Sequence, residues 1–205
     1  MNQVIAISGP IGAGKSSLRM ALENTLPSCV SVDIDHYQSI TQRSLEFVQD
    51  WMQSGANPDA FPLPRLANDL RQLRAGFPIN NPTNGQTVAP AEIILFETPF
   101  GRLHTETAQQ IDLLLWIETP LDVALARKLQ QFVGEALHNS APSGLREFHQ
   151  WMFVYLQNYS TTIHSLMRMQ QERVASRADV RVDGTLPLNQ LVLRAAEAVG
   201  QFQGH

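Results

Sequence analysis

Between an apolar run and a helix-patterned stretch near its N-terminus, the chain carries Gly9-Pro10-Ile11-Gly12-Ala13-Gly14-Lys15-Ser16, and no other segment narrows the choice of fold as much. Glycine, four free residues, glycine, lysine and then serine or threonine is the spacing of a loop whose backbone amides cradle phosphates while the lysine neutralises them. The flanks agree with that reading. Val4-Ile5-Ala6-Ile7 is unbroken and apolar, as a parallel strand is when both of its faces are buried. After the loop, Leu18, Ala21, Leu22 and Leu26 recur at helical spacing until Pro27 stops the helix. Gly12 and Gly14 leave room for the backbone to wrap an anion. A helix starting near Lys15 would aim its positive dipole end and its unpaired amides into the same space. The whole loop from Gly9 to Ser17, Pro10, Ile11 and Ala13 included, is therefore read as the nucleotide-binding site. Lys15 would lie against the β and γ phosphates of ATP, and the Ser16 hydroxyl would ligate Mg2+.

Further strands alternate with helices along the chain. Cys29 to Val32 runs into Asp33-Ile34-Asp35-His36-Tyr37. Ser39 and Gln42 have capping-box spacing ahead of a stripe of Leu45, Val48, Trp51 and Met52 that ends at Gly55 and reads as core. Asn57 to Pro62 reads as a turn, and Pro64 can start a helix through Leu66, Leu70 and Leu73 to Gly76. Prolines and the Asn84-Gly85 pair predict a loop with a small hairpin between Phe77 and Pro90. Ile93-Ile94-Leu95-Phe96 is another fully apolar strand, ending in Glu97. Leu113 to Ile117 is a further one, with Thr119 placed to cap the helix that carries Arg127 and Lys128. A turn-rich stretch around Pro142 precedes a long helix with Phe148, Trp151, Met152, Tyr155 and Leu156 on its apolar side. A last strand around Val180 and Val182 and a last helix with Leu191, Val192, Ala195 and Val199 follow. The alternation predicts an α/β fold of three layers, about five parallel strands with helices on both faces: the P-loop NTPase arrangement.

Composition bounds the function. The 205 residues are 43% hydrophobic and 17% charged, which suits one soluble domain over 1–205. A formal charge of −4 and the lack of a basic run exclude a polyanion-binding surface, so neither nucleic acid nor an anionic membrane is an expected partner. No stretch is long and apolar enough to span a bilayer, and the N-terminus lacks a signal-peptide pattern. A single cysteine, Cys29, agrees with a reducing, cytoplasmic setting, and its valine neighbours read it as a core residue.

The chain resembles the uridine kinase and phosphoribulokinase branch of P-loop kinases. The resemblance is carried by the loop Gly9 to Ser17, the acidic-aromatic segment ending in Tyr37, Asn57-Pro58-Asp59-Ala60-Phe61 with the leucine helix after it, and Leu95-Phe96-Glu97. Ala178-Asp179-Val180 is a looser match. It implies ATP as phosphoryl donor, magnesium, a small hydroxyl-bearing acceptor, and the homo-oligomeric assembly that relatives often show. The acceptor half departs from the branch. Gly55 and Ala56 stand where uridine kinases carry Phe-Asp, whose aspartate holds the sugar. The base-reading segment has no counterpart between Phe77 and Pro90. Arg127-Lys128-Leu129-Gln130-Gln131-Phe132 replaces a lid with a further arginine and an aspartate, and Thr98 replaces a glycine.

Phosphoryl transfer needs the phosphates held, their charge offset and the acceptor hydroxyl aligned by a carboxylate at a strand end. Asp33 and Asp35 are the candidates. Asp33 is read as base or metal-shell ligand and Asp35 as substrate contact, with the reverse order and a plain Asx turn both open. Glu97 reads as a Walker-B-type carboxylate holding a magnesium water or the acceptor, or as a solvated strand end. Together Ser16, Asp33 and Glu97 form the expected magnesium set, partly through water. Arg127 and Lys128 would reach the transferring phosphate from a lid or simply face solvent. Tyr37 would line the acceptor pocket by resemblance. Arg43, Arg65, Arg71 and Arg74 would be needed for a nucleoside monophosphate kinase. A module that binds ATP without transferring phosphate is the alternative to a kinase.

Overall fold

The computed structural model describes residues 1–37, 44–139 and 144–203. At its centre is a parallel sheet formed by β1 (Gln3–Ser8), β2 (Cys29–Val32), β5 (Ile93–Glu97), β6 (Leu113–Glu118) and β7 (Val180–Asp183), in the order β2-β5-β1-β6-β7. The expected hairpin is present as β3 (Ile79–Asn80) paired antiparallel with β4 (Thr87–Val88).

The unbroken apolar runs follow from two covered faces. Val4, Ala6, Ile94, Phe96, Leu114 and Trp116 enter one core, and the residues between them, among them Ile5, Ile7, Leu95 and Leu115, enter the other. Helix α1 (Lys15–Thr25) closes the second core with Leu18 and Leu22. On the first face lies α3 (Pro64–Arg74), bringing Leu66, Leu70 and Leu73. Each fully buried leucine of this kind is worth about 1.5–3 kcal/mol against exposure, which explains why the alternation of strand and helix folds as three layers.

Helix α2 (Leu45–Gln53) starts at Ser44, whose Oγ accepts the Phe47 amide at 3.2 Å. The capping-box spacing of Ser39 and Gln42 lies outside the described residues. After β5 come the short α4 (Thr105–Ala108), then α5 (Leu121–Asn139), α6 (Leu145–Asn158), a π turn over Tyr159–Ile163, α7 (His164–Arg173) and α8 (Leu188–Gln203), which packs beside α1 on the second core. Two details differ from the sequence reading. Thr119 does not cap α5: its buried hydroxyl has no partner among the described residues. The apolar side of α6 contains no buried residue. Trp151 and Tyr155 meet Phe132 of α5 edge-on, ring centres 4.7 and 5.0 Å apart, Phe148 stacks on Trp151, Phe148 and Met152 are half-buried, and Leu156 is exposed.

Strand order positions the site. Ile7 is in register with Glu97 and Val32 with Phe96, so the carboxyl ends of β1, β5 and β2 lie side by side. That edge is where an open α/β sheet gathers its ligand contacts. Among the described residues no helix is long and apolar enough to cross a membrane.

Candidate active site

The loop after β1 folds as its glycines require. Gly14 caps α1 in a left-handed conformation (φ 92°), and a Cβ there would meet nothing within 4 Å, so the space above it is open. Gly12 (φ 84°) lies under α5, and a Cβ on it would collide with the Ala124 carbonyl. The first-turn amides of α1 have no partners within the helix and no acidic side chain beside them. Lys15 folds back over the loop, its Nζ donating to the carbonyls of Gly9 and Pro10 at 2.9 and 3.0 Å. Burial, only partly offset by Glu97, lowers its pKa to about 8. An ammonium this poorly solvated is ready to gain from an arriving anion.

Glu97, at the end of β5, is buried and joined to the loop. Its Oε2 accepts the Ser16 hydroxyl at 3.1 Å and its Oε1 accepts Arg19 Nε at 2.6 Å. The Arg19 guanidinium also lies 3.8 Å from Asp33 and 3.6 Å from Glu23, so one cation organises the acidic edge. Sequence reasoning missed Arg19, although its position one helical turn after Lys15 puts it on the face that looks at the strand ends.

The two aspartates part company. Asp33 Oδ1 accepts the Asp35 amide at 2.9 Å, the Asx geometry that starts a short 3-10 turn over Ile34–His36. Asp35 stands on the cavity wall, and burial, with Asp33 and Glu97 nearby, raises its pKa above the ordinary carboxylate value. Tyr37 is not brought to the cavity. Its hydroxyl donates to Asp69 of α3 at 2.9 Å, and its ring packs against the core under that helix.

One cavity of about 690 Å³ joins these groups, reaching Gly9, Ile11, Gly12, Lys15, Ser16 and Ser17 at one end. Helix α5 overhangs this end with Arg127 and Lys128. The Arg127 guanidinium donates to the Gly184 carbonyl at 2.6 Å, whereas Lys128 Nζ bonds Gln131 at 2.9 Å and sits 4.6 Å above the Phe132 ring. The other end is apolar. Trp51 and Phe61 meet edge-on at 5.2 Å, Phe61 and Phe100 stack at 5.7 Å, and Val48 and Leu166 complete the wall. The stripe read as core is thus core and cavity wall at once. Ala56 is buried in the same aromatic cluster, so no carboxylate enters there.

The arginines that a nucleoside monophosphate kinase would need are occupied elsewhere. Arg65 pairs with Asp69, Arg71 with Asn68 and Arg74 with Asp112, and Arg43 lies outside the described residues. Cys29 is inert, its thiol pushed up to about 12 by burial and by Glu23. Among the described residues no three histidine, cysteine or acidic side chains form a metal cage. The donor set still fits magnesium, which binds through one or two protein oxygens and the phosphates. Ser16 gives its proton to Glu97, which turns the hydroxyl lone pairs outward.

No protein-family model matches the chain. The uridine kinase of Borrelia garinii subsp. bavariensis is 25% identical over 146 residues, 66% of this chain and 69% of that protein. A Silicibacter protein provisionally named a fructose transport system kinase superposes with a TM-score of 0.53 at 16% identity, covering 88% of this chain and 89% of its own. The shikimate kinase of Acinetobacter baumannii, solved with shikimate, gives a TM-score of 0.53 at 13% identity over 98% of this chain and 94% of its own. The chain has the fold of these P-loop kinases. Its sequence likeness to uridine kinases matches the resemblance carried by the loop, Asn57 to Phe61 and Glu97. Within this P-loop kinase fold, Lys15, Ser16, Asp33, Asp35, Glu97, Arg127 and Lys128 all line the one cavity, and Tyr37 does not. Gln170 on α7 also lines it, with no motif to announce it.

Proposed function

We propose that the protein transfers the γ-phosphoryl group of ATP to the hydroxyl of a small molecule. The observation that carries this reading is the continuous cavity in which the phosphate loop with Lys15 and Ser16 faces Asp35. The loop amides and the positive end of α1 would bind the phosphates, and Lys15 would leave the Gly9 and Pro10 carbonyls to take up β and γ oxygens. Ser16 would ligate magnesium directly, with Glu97 and Asp33 contacting it through water; the ion, when bound, offsets charge on the phosphate oxygens. Asp35 accepts the proton of the acceptor hydroxyl while that oxygen bonds to the γ phosphorus and the bond to the β–γ bridging oxygen breaks. Its raised pKa suits a base, and Asp33 is held by its cap to the turn. That is the reverse of the order favoured from sequence. Lys128 adds charge from α5. The experiment is ADP release measured over a panel of hydroxylated compounds, alongside nucleotide binding by calorimetry. Acceptor-stimulated release that Lys15→Met abolishes is expected.

A second reading, a nucleotide-binding module without transfer, draws on Arg127, whose guanidinium is committed to Gly184. Tight binding of nucleotide with no acceptor raising its turnover would favour it.

A further inference from the structure

The acceptor end of the cavity is built for a particular chemistry. Val48, Trp51, Phe61, Phe100 and Leu166 present hydrocarbon, and the indole N–H of Trp51 is already given to the Asn57 carbonyl at 2.7 Å. The lysines and arginines among the described lining residues are Lys15 on the phosphate loop and Arg127 and Lys128 on α5. None comes from α2, α7 or the Phe61 and Phe100 segments. Among the described residues, an acceptor with a carboxylate or phosphate would find no cation on this wall and a polyol few partners for its hydroxyls, and both lose by burial against hydrocarbon.

One polar group breaks the wall. Gln170, 6% exposed, donates its Nε2 to the Pro99 carbonyl at 3.2 Å. A carbonyl can only accept, so this bond fixes which end of the amide is nitrogen. Oε1 is the other end, and it is buried with no partner among the described residues. Both Gln170 and Pro99 line the cavity. Leu166 and Gln170 lie one helical turn apart on α7, so the same face of that helix carries both to the cavity. A buried acceptor atom without a partner calls for a donor, and of the buried unpaired atoms among the described residues Gln170 Oε1 is the one on a residue lining the cavity.

We propose that the phosphoryl acceptor is a neutral alcohol with an apolar body of aromatic-ring size, carrying one N–H or O–H donor that pairs with Gln170 Oε1. This rests on the kinase reading for the transfer step, but the pocket chemistry is testable apart from it. The probes are 3- and 4-aminobenzyl alcohol, benzyl alcohol, uridine, fructose and shikimate. Their binding is measured by ligand-observed NMR with a non-hydrolysable ATP analogue present, and ADP release is measured with ATP. The aryl alcohols are expected to bind and to stimulate release while uridine, fructose and shikimate do not, and one amino isomer should be preferred to benzyl alcohol by about tenfold, a hydrogen bond's worth. Gln170→Met should abolish that preference with the analogue's affinity unchanged, which a merely structural tie between α7 and Pro99 would not do. If the methionine variant fails to fold, 3- and 4-methylbenzyl alcohol, which fill the same space without a donor, serve as the test: they should bind no better than benzyl alcohol, and binding as tight as that of the amino isomers would overturn the proposal. Preference for a polyol or an anion, binding of no aryl alcohol, or a preference that survives Gln170→Met would overturn the proposal. Selective binding of the aryl alcohols with no ADP release would instead sink the kinase reading and leave the pocket assignment standing.

Discussion

Lys15 couples nucleotide binding to pH. In the free protein its ammonium titrates near 8, below the ordinary 10.5, so the folded chain holds fewer protons than the unfolded one between those values. Through this group stability therefore rises with pH across that window and is unaffected below it. Nucleotide affinity runs the other way, because phosphates restore the charged form. The dissociation constant is expected to be flat below pH 7, to rise about twofold by pH 8 and up to about tenfold by pH 9, with uptake of a proton on binding. Calorimetry in two buffers checks both, and Lys15→Met should bind at least a hundredfold more weakly with no such slope. Asp35 makes the complementary prediction. Its raised pKa puts an acidic limb on kcat/KM above the usual carboxylate range, since the protonated acid cannot accept the hydroxyl proton. Asp35→Asn should cost about 100-fold or more in kcat and leave nucleotide affinity within a few fold. Asp33→Asn keeps an oxygen to cap the Asp35 amide and should cost much less. Equal losses in the two variants would return the base role to Asp33.

The loop that joins β1 to α1 depends on its glycines for different reasons, which separates two substitutions of the same size. Gly14→Ala adds a methyl group to open space but holds it at φ 92°, a strain of about 1–2 kcal/mol. Gly12→Ala adds similar strain and drives the methyl group into the Ala124 carbonyl, so α5 must move and take Lys128 with it. Denaturant melts should show Gly12→Ala as the more destabilised of the two, and only it should weaken the nucleotide and raise the acceptor KM together. The elements themselves were legible because their signals are local. Apolar runs such as Ile93 to Phe96 fix strands, and Pro64 and Gly76 bracket α3. What escaped depended on distance. Thr119 has the chemistry of a cap, yet its hydroxyl is buried with no partner among the described residues. Tyr37 has the right neighbours in sequence but turns toward Asp69, and Asp69 reveals itself only once α3 is packed on the sheet. Gln170 sits among other polar residues of α7, and its role follows from Pro99, a residue 71 positions away in the chain.

At the scale of the molecule the phosphate site sits on β1, the central strand, while the acceptor wall is assembled from α2, α7 and the segments carrying Phe61 and Phe100. Nucleotide binding should therefore be felt as global stability, since the loop it grips joins the central strand β1 to α1, whose Leu18 and Leu22 are buried in the core. A ligand at 100 times its dissociation constant stabilises a fold that alone binds it by about 2.7 kcal/mol. For a chain of this length that corresponds to roughly 5–10 °C in melting temperature. Magnesium enters the same measurement. Asp33, Asp35 and Glu97 line the cavity and repel a bare triphosphate, and of the cations that line it with them Arg127 is drawn to the Gly184 carbonyl and Lys128 to Gln131. Chelation of the metal should weaken binding of the non-hydrolysable analogue and shrink the shift, and the remainder should vanish in Lys15→Met. Scanning fluorimetry across analogue concentrations, with magnesium and with chelator, reads all three. A shift that persists undiminished with chelator present would remove the metal from the site, and one that persists in Lys15→Met would place the nucleotide somewhere other than this loop.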